Sequence, residues 1–506
     1  MAISDSTADA QSVSGRVRSL WSFRGRYRTL HLTWFAFFLT FVVWFNFAPF
    51  ASTIGSQFGL SAEQLTVLAL CNVALTVPAR VLIGMALDRW GPRRVYSAIL
   101  VYAAVPCGIF ATATTFTGLV VGRLGLSLVG AGFVVGIRMV SEWFPPREVG
   151  TAEGVYGGWG NFGSAAAAFT LPAVAAVVGG PSGWRWATGA TGVIAALYGL
   201  CYARMVTDTP DGRAYAKPRR QGALEVTHRS AVWGLLALNA PLAGVLLLVA
   251  WRLSRVGMLS GTGLAVAAAV LLAVLTVQSR AIVRVNRPAL AGDYAEGDRY
   301  PLRSVVVLCV AYAVSFGSEL AVVSMLPGFF GATFGLSPVA AGMTASAYAF
   351  MNLAARPAGG LLSDVLGDRR RTLSVLLIGL GVGYGVMAGI GPSWPLIAAV
   401  AAAMACSFFV QAAEGATYAI VPLVKRRVSG QISGIVGAYG NVGALLFLTL
   451  LLLVGHTAFF AAIGASAVLG WIACRWLVEP PDAFAHEHTD DEVVVDIADE
   501  VVRLPA

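Results

Sequence analysis

The feature that most constrains this chain is a succession of apolar segments, each about 20 residues long, joined mostly by short loops. A helix of that length crosses the hydrocarbon core of a bilayer. Of the 506 residues, 57% are hydrophobic and 12% are charged, unlike the composition of soluble domains. The sequence therefore predicts an all-α integral membrane protein with about 14 transmembrane helices. We place them at 30–50, 63–86, 95–114, 118–141, 150–178, 185–205, 231–250, 257–277, 303–327, 338–362, 372–390, 394–419, 429–454 and 458–477.

Arginine and lysine residues lie mainly in loops on one side of these segments. Basic clusters precede the first segment, follow the second and the sixth, and recur at similar intervals later in the chain. Cytoplasmic loops of membrane proteins carry such an excess of positive charge. We therefore expect a multi-pass protein of the inner (plasma) membrane with both termini in the cytoplasm. The net charge of +9 then reflects topology, and we expect no nucleic-acid partner.

One arginine motif occurs twice, 276 residues apart, inside apolar segments. Arg80 precedes Asp88 by eight residues, and Arg356 precedes Asp364 by the same interval. A charge in the bilayer interior is costly and usually marks a substrate or ion path. Two equivalent cations favour a symmetric clamp for one small anion.

A second motif repeats at almost the same interval. Asn161 lies in GWGNFG at 158–163, and Asn441 lies in AYGNVG at 438–443. The chain therefore consists of two copies of one membrane unit, with an even number of helices inserted between them so that both copies keep one orientation. We predict an N-terminal cytoplasmic segment at 1–28, a six-helix half at 29–206, a linker with two extra helices at 207–301, a second six-helix half at 302–478 and an acidic cytoplasmic tail at 479–506.

Two loop motifs identify a fold family. The segment Gly84-Met-Ala-Leu-Asp88-Arg-Trp-Gly91-Pro-Arg93 resembles the loop motif of the major facilitator superfamily, and the segment from Gly360 to Arg370 resembles its counterpart in the second half. In that family the motif is structural and latches helices on the cytoplasmic side. The resemblance implies the major facilitator fold. Its motif residues here are Gly84, Asp88, Gly91, Arg93, Asp364 and Gly367.

Narrower motifs resemble the nitrate/nitrite porter family within that superfamily. They are HLTWFAFFLTFVVWFNFAPF in the first segment, GVYGGWGNFGSAAAAF in the fifth and GIVGAYGNVGALLF near the end. The resemblance implies that Arg80 and Arg356 bind the anion from opposite halves and that aromatic rings enclose it. Glycines of the repeated motif allow close approach of helices. The implied binding residues are Arg80, Arg356, Phe133, Asn161, Tyr312, Phe316 and Asn441, and the implied packing glycines are Gly158, Gly160, Gly163, Gly440 and Gly443.

The chemistry of nitrate suits such a site. Nitrate is small, planar and monovalent, and guanidinium groups offer planar, fork-shaped donors that match it better than lysine does. We expect the halves to rock around a site at the membrane midplane, with repulsion between two facing arginines opposing closure until an anion binds.

Glutamates inside the membrane segments leave open whether nitrate transport is coupled to protons or to exchange for nitrite. Glu319 lies one turn after Phe316, near the expected pocket. If Glu319 takes up a proton with the anion, the protein is a nitrate/proton symporter; if it stays paired with an arginine, the protein exchanges nitrate for nitrite. Arg138 and Glu414 occupy equivalent places in the two halves, and an ion pair between them is a purely structural alternative.

Other functions remain open at this stage. A carrier of another small anion would keep the same fold, and a nitrate-binding membrane sensor would signal through the acidic tail. The five histidines and six cysteines show no metal-ligand spacing within the segments, so we expect no metal, no cofactor and no enzyme activity. We expect a monomer in contact with membrane lipid, with nitrate and nitrite as ligands and protons as a possible coupling ion. The sequence decides neither the direction of transport nor the preference between nitrate and nitrite.

Overall fold

The computed structural model describes residues 13–294, 299–451 and 453–480, and within these ranges it contains helices and no strand. Most of the segment predicted at 1–28 is described, whereas nearly all of the acidic tail predicted at 479–506 lies outside the described residues. The α-helices are α1 Val13–Ser19, α2 Gly25–Trp44, α3 Ala51–Phe58, α4 Ala62–Ala74, α5 Thr76–Trp90, α6 Pro92–Tyr102, α7 Ala104–Thr112, α8 Phe116–Ser127, α9 Gly132–Trp143, α10 Val149–Val178, α11 Gly183–Met205, α12 Arg229–Arg255, α13 Gly261–Val285, α14 Arg287–Ala291, α15 Leu302–Phe334, α16 Pro338–Phe350, α17 Asn352–Val365, α18 Arg369–Ala388, α19 Leu396–Ile420, α20 Ser429–Leu451 and α21 His456–Ala473.

Thirteen helical segments of the described chain are long and apolar enough to cross a membrane. The remaining predicted segment, the tenth in chain order at 338–362, is divided into α16 and α17 by a break at Met351. Pro357 lies inside α17 and has no backbone N–H to donate to the carbonyl of Leu353. The indole of Trp159 donates to that carbonyl instead, at 3.3 Å. Helix α17, which carries Arg356 and Pro357, is thus hydrogen-bonded to α10 at the carbonyl that the proline leaves free.

The two helices that carry the repeated glycine motif, α10 and α20, each pack against one helix of their own half and one helix of the other half. Helix α10 packs against α17 and α2, and α20 packs against α5 and α15. The backbones approach closely: a Cβ added at Gly360 would lie 1.9 Å from the carbonyl oxygen of Gly150, and one added at Gly84 would lie 2.5 Å from that of Gly430. Small residues at such crossings let helices pack through their backbones.

The two extra helices predicted between the halves are α12 and α13. Helix α12 packs against α4, α15 and α20, and the hydroxyl of Tyr439 on α20 donates to the carbonyl of Leu238 on α12 at 2.9 Å. Helix α13 packs chiefly on α12 and is otherwise largely exposed. The pair is therefore attached to the side of the bundle where α5 meets α20.

The linker before α12 crosses the face that carries the basic loops. Tyr215 donates through its hydroxyl to the carbonyl of Leu87 at 2.8 Å and accepts from Nε of Arg138 at 3.1 Å. Asp208 accepts from the backbone N–H of Arg93 at 2.7 Å. Burial raises the pKa of the Asp208 carboxyl, and this hydrogen bond opposes the rise. The linker thus joins the ends of several helices on that face.

Candidate functional site

Arg80 is completely buried in the middle of the protein. Pro78 lies in the first turn of α5, where a proline removes no helical hydrogen bond. The Arg80 guanidinium donates through Nη1 to the carbonyl of Gly437 on α20 at 2.6 Å and through Nη2 to that of Gly130 at 3.4 Å. In the part of the chain that the structure describes, Arg80 forms no ion pair. Its charge is therefore held by backbone carbonyls, which an anion can supplement.

Arg356 is buried to the same degree but has a carboxylate partner. Its Nη1 lies 2.6 Å from Oε2 of Glu414 on α19, and its Nη2 donates to the hydroxyl of Tyr312 on α15 at 3.2 Å. The expectation of two unpaired cations facing each other is therefore not met, because the charge of Arg356 is balanced within the protein.

Both guanidinium groups lie over one aromatic ring. The Cζ atoms of Arg80 and Arg356 are 5.5 and 5.1 Å from the centroid of Phe133, within the range of cation–π contacts. Arg80 also lies 5.1 Å from the ring centroid of Phe316. Arginines that are 276 positions apart in the sequence thus meet at a common point, and one small ion could contact both.

The predicted aromatic residues form one stack. The rings of Phe133 and Tyr312 are within 5° of parallel with centroids 6.2 Å apart, and those of Tyr312 and Phe316 are within 2° with centroids 5.0 Å apart. Tyr418 on α19, which the sequence analysis missed, stands edge-on to Phe133 at 4.7 Å and to Tyr312 at 4.9 Å. The result is a buried site with flat aromatic walls beside two cations.

The two predicted asparagines occupy different surroundings. Asn161 donates to Oδ1 of Asn352 at 3.4 Å, and Asn352 donates to Oε1 of Glu319 at 2.6 Å. Asn441 donates at 3.4 Å to the carbonyl of Gly437, which also accepts from Arg80. Asn161 therefore connects to the carboxylates and Asn441 to the unpaired arginine.

Three glutamates lie near the two arginines, whereas the sequence analysis placed only Glu319 near the pocket. Glu319 is only 5% exposed and accepts from Asn352 and, at 3.4 Å, from Gln411. The side chains of Glu319 and Glu414 lie close together, and no described residue donates a hydrogen bond to Oε2 of Glu319 or to either carboxylate oxygen of Glu414. Glu153 on α10 is buried near Arg356, and its carboxylate accepts no hydrogen bond from any described residue.

The ion pair considered between Arg138 and Glu414 does not form. Arg138 instead lies 2.9 Å from Oε1 of Glu142, one turn along α9, and Glu414 pairs with Arg356. Glu414 follows Arg138 by 276 residues, the same interval as between the two site arginines. The interval showed that the positions are equivalent, but equivalent positions in two halves need not be in contact.

Glycines of the repeated motif surround the two arginines. A Cβ added at Gly157 would lie 2.5 Å from Nε of Arg356, and one added at Gly437 would lie 3.1 Å from Cδ of Arg80. The nearest atoms to a Cβ added at the other predicted glycines are Asn352 O at 2.3 Å for Gly158, Phe37 Cδ1 at 1.8 Å for Gly160, Phe38 O at 2.3 Å for Gly163, Tyr312 Cδ1 at 2.7 Å for Gly440 and Ala313 O at 2.0 Å for Gly443.

The aspartates of the loop motifs lie at equivalent helix starts. Asp88 accepts from the backbone N–H groups of Gly430 and Gln431, both at 3.1 Å, at the start of α20. Asp364 accepts from those of Gly150 and Thr151, at 3.1 and 2.6 Å, at the start of α10. A carboxylate at a helix N-terminus is favoured by the helix dipole. Each aspartate therefore ties together helices from opposite halves.

The arginine beside Asp88 comes from outside its loop motif, whereas the arginine beside Asp364 comes from within its own. Nε of Arg138 lies 4.0 Å from Asp88, whereas Arg93 donates to the carbonyl of Ala203 at 2.6 Å. Arg369 lies 2.9 Å from Asp364. Gly91 and Gly367 end their helices with φ values of 83° and 72°, which favour glycine.

Replacing Asp364 with asparagine should lower the free energy of unfolding by about 3–5 kcal/mol, because the buried charge facing Arg369 is lost. Thermal unfolding in detergent measures the change. Asp211→Asn, an exposed change in the linker, is the control and should unfold at the wild-type temperature. Equal stability of Asp364→Asn and wild type would contradict the role of this contact.

Comparison with known proteins agrees with this architecture. The family model of the Major Facilitator Superfamily matches residues 33–290 and 308–498. The chain is 51% identical to the nitrate/nitrite transporter NrtP of Picosynechococcus sp. over 93% of this chain and 96% of the relative, and 47% identical to NrtP of Nostoc punctiforme over the same shares. The human organic anion transporter MFSD10 has the same fold, with a TM-score of 0.61 at 14% identity over 89% of this chain and all of that one. The predicted fold is confirmed.

Proposed function

This chain belongs to the nitrate/nitrite porter family of the major facilitator superfamily, and from that membership and its buried arginine pair we propose that it carries nitrate and nitrite across the membrane. The observation that carries the proposal is the meeting of Arg80 and Arg356 over the ring of Phe133. Two cations from opposite halves at one buried point are suited to hold a single small anion.

The shape of the site favours a planar anion. Parallel rings of Phe133, Tyr312 and Phe316 offer flat apolar surfaces, and guanidinium groups donate in a plane. A flat monovalent ion can lie against a ring while its oxygen atoms accept from arginine. Asn161 and Asn441 add amide N–H donors whose present hydrogen bonds, to Asn352 and to the carbonyl of Gly437, are both long at 3.4 Å. These amides are further candidates for orienting the ion.

Transport would proceed by alternating access around this site. The contacts of Asp88 and Asp364 with helix starts of the opposite half hold the basic-loop side closed. From the distribution of positive charge we assign that side to the cytoplasm, and we propose the inner (plasma) membrane as the location of the protein. Breaking both contacts would let the halves separate there and release the anion.

A nitrate uptake assay in proteoliposomes tests the proposal. One arm supplies internal nitrite, the other an inward proton gradient, and each compares wild type with Glu319→Gln. We expect wild-type uptake in the proton-gradient arm and slower uptake by Glu319→Gln there, because Glu319 lies beside the carboxylate that pairs with Arg356.

The remaining outcomes are equally informative. Uptake that requires internal nitrite and ignores both protons and the Gln change would mean obligatory exchange. Absence of uptake in both arms would overturn the proposed function. Glu63→Gln, an exposed change at the start of α4, is the matched control and should behave as wild type.

A further inference from the structure

Five ionisable side chains surround the aromatic stack: Arg80, Arg356, Glu153, Glu319 and Glu414. Fully ionised, they would bring two positive and three negative charges into a site where each of these side chains is buried. An added anion raises the negative excess, and unbalanced buried charge is costly. Nitrate binding therefore requires at least one of the carboxyl groups to be neutral.

Glu414 is the carboxylate in direct competition with the anion. It occupies Nη1 of Arg356 at 2.6 Å, and both groups are buried. An anion that binds Nη1 of Arg356 must take the place of Glu414 there. A displaced, ionised Glu414 would then be a buried charge without its partner, which is strongly unfavourable, whereas a protonated Glu414 is a neutral hydrogen-bond donor.

Resting on the transport function proposed above, we infer that Glu414 is the proton carrier of this protein, releasing Arg356 to nitrate when it binds a proton. In the step, the carboxylate of Glu414 takes a proton from the aqueous side, its ion pair with Arg356 breaks, and nitrate forms an ion pair with Arg356. On the opposite side nitrate leaves, the proton leaves, and the original pair reforms. The charge of the site is the same before and after each exchange.

The groups around Glu414 suit this step. Arg356 faces it from α17, Glu319 from α15 and, farther away, Arg80 from α5. Glu153 faces the same Arg356 from α10. Glu319 is held by the amides of Asn352 and Gln411. Its Oε2 accepts from no amide, hydroxyl or guanidinium of the described residues, so it can accept the hydrogen bond of a protonated Glu414.

The arrangement also explains how one site can serve two modes of transport. If both proton and anion leave, net uptake is coupled to the proton gradient. If nitrite replaces nitrate while Glu414 remains protonated, the anions exchange without proton movement. Glutamine resembles the protonated form of glutamate but cannot release a proton. Glu414→Gln should therefore lose proton-coupled uptake and keep anion exchange.

The decisive measurement is the proton uptake that accompanies nitrate binding. Purified protein in a weakly buffered detergent solution is mixed with sodium nitrate, and the pH change is followed with an indicator dye. Wild type should take up protons, Glu414→Gln should lose this uptake, Glu319→Gln should lose less of it than Glu414→Gln does, and Glu63→Gln should keep it. In proteoliposomes, Glu414→Gln should lose gradient-driven uptake and still exchange nitrate for nitrite at an altered rate.

Several outcomes would overturn the inference. Proton uptake by Glu414→Gln on nitrate binding would do so, as would nitrate binding to wild type without proton uptake. The wild-type measurement decides the question even if Glu414→Gln does not fold, and calorimetry in buffers of different ionisation enthalpy repeats it independently. Failure of wild type to bind nitrate at all would instead reject the transport function.

Discussion

Replacing Arg80 or Arg356 with alanine should reduce nitrate uptake at least about 30-fold. Each arginine would form a buried charge pair with the bound nitrate, and removing one partner of such a pair costs about 2–5 kcal/mol. Each arginine is buried and both contact the Phe133 ring, so neither can substitute for the other. Initial uptake rates in proteoliposomes, divided by the amount of inserted protein, give the comparison.

The two alanine variants should differ in stability. Arg356→Ala leaves the carboxylate of Glu414 without its ion pair, whereas Arg80→Ala frees only backbone carbonyls. We therefore expect Arg356→Ala to unfold at the lower temperature. Lysine at either position should restore little uptake, since an ammonium lacks the planar donor fork. Arg204→Ala, an exposed change at the end of α11, is the control. Near wild-type uptake by either alanine variant would refute the anion site.

Gly360→Ala should reduce transport about tenfold or more while leaving each half folded. The added Cβ would lie 1.9 Å from the carbonyl oxygen of Gly150, a backbone atom of the opposite half that cannot turn aside. Overpacking of this kind costs about 1–3 kcal/mol, and separation of the halves relieves it. We expect the equilibrium to shift away from the form closed on the basic-loop side, measured by cysteine labelling of that side together with uptake.

Two other glycines provide the comparison for Gly360→Ala. At Gly443 the clash, 2.0 Å from the carbonyl oxygen of Ala313, lies between α20 and α15 of the same half, so alanine there should lower stability. At Gly385 no atom lies within 4 Å of an added Cβ, and alanine there should change neither stability nor transport. Wild-type uptake and labelling by Gly360→Ala would show that this crossing does not close the transporter.

Much of the site was visible in the sequence because its halves repeat. The intervals of 276 and 280 residues singled out Arg80 and Arg356, which the structure brings together over Phe133, and also Asn161 and Asn441. Asn441 shares the carbonyl of Gly437 with Arg80, and Asn161 contacts Asn352, which donates to Glu319. A buried arginine in an apolar segment is conspicuous on energetic grounds alone. The predicted fold followed from apolar segment lengths and the loop motifs.

The partners of these residues could not be predicted in the same way. Glu414 and Tyr418 lie on α19, and their contact with Arg356 and Phe133 depends on how that helix is rotated. Apolar residues surround every side of a membrane helix, so periodicity does not reveal its rotation. Asn352 was missed for a related reason, since the break between α16 and α17 has no counterpart in hydropathy.

The helix pair between the halves makes the two sides of the bundle unequal. On one side a narrow cavity beside the crossing of α5 and α20 is lined by Val81 and Ile435 and covered by Leu238 of α12. On the other side Leu353, next to the crossing of α10 and α17, is 37% exposed. Acyl chains of the bilayer can therefore reach the second crossing but are kept from the first. Changes in lipid thickness or saturation should act on this protein from one flank, despite its internal twofold repeat.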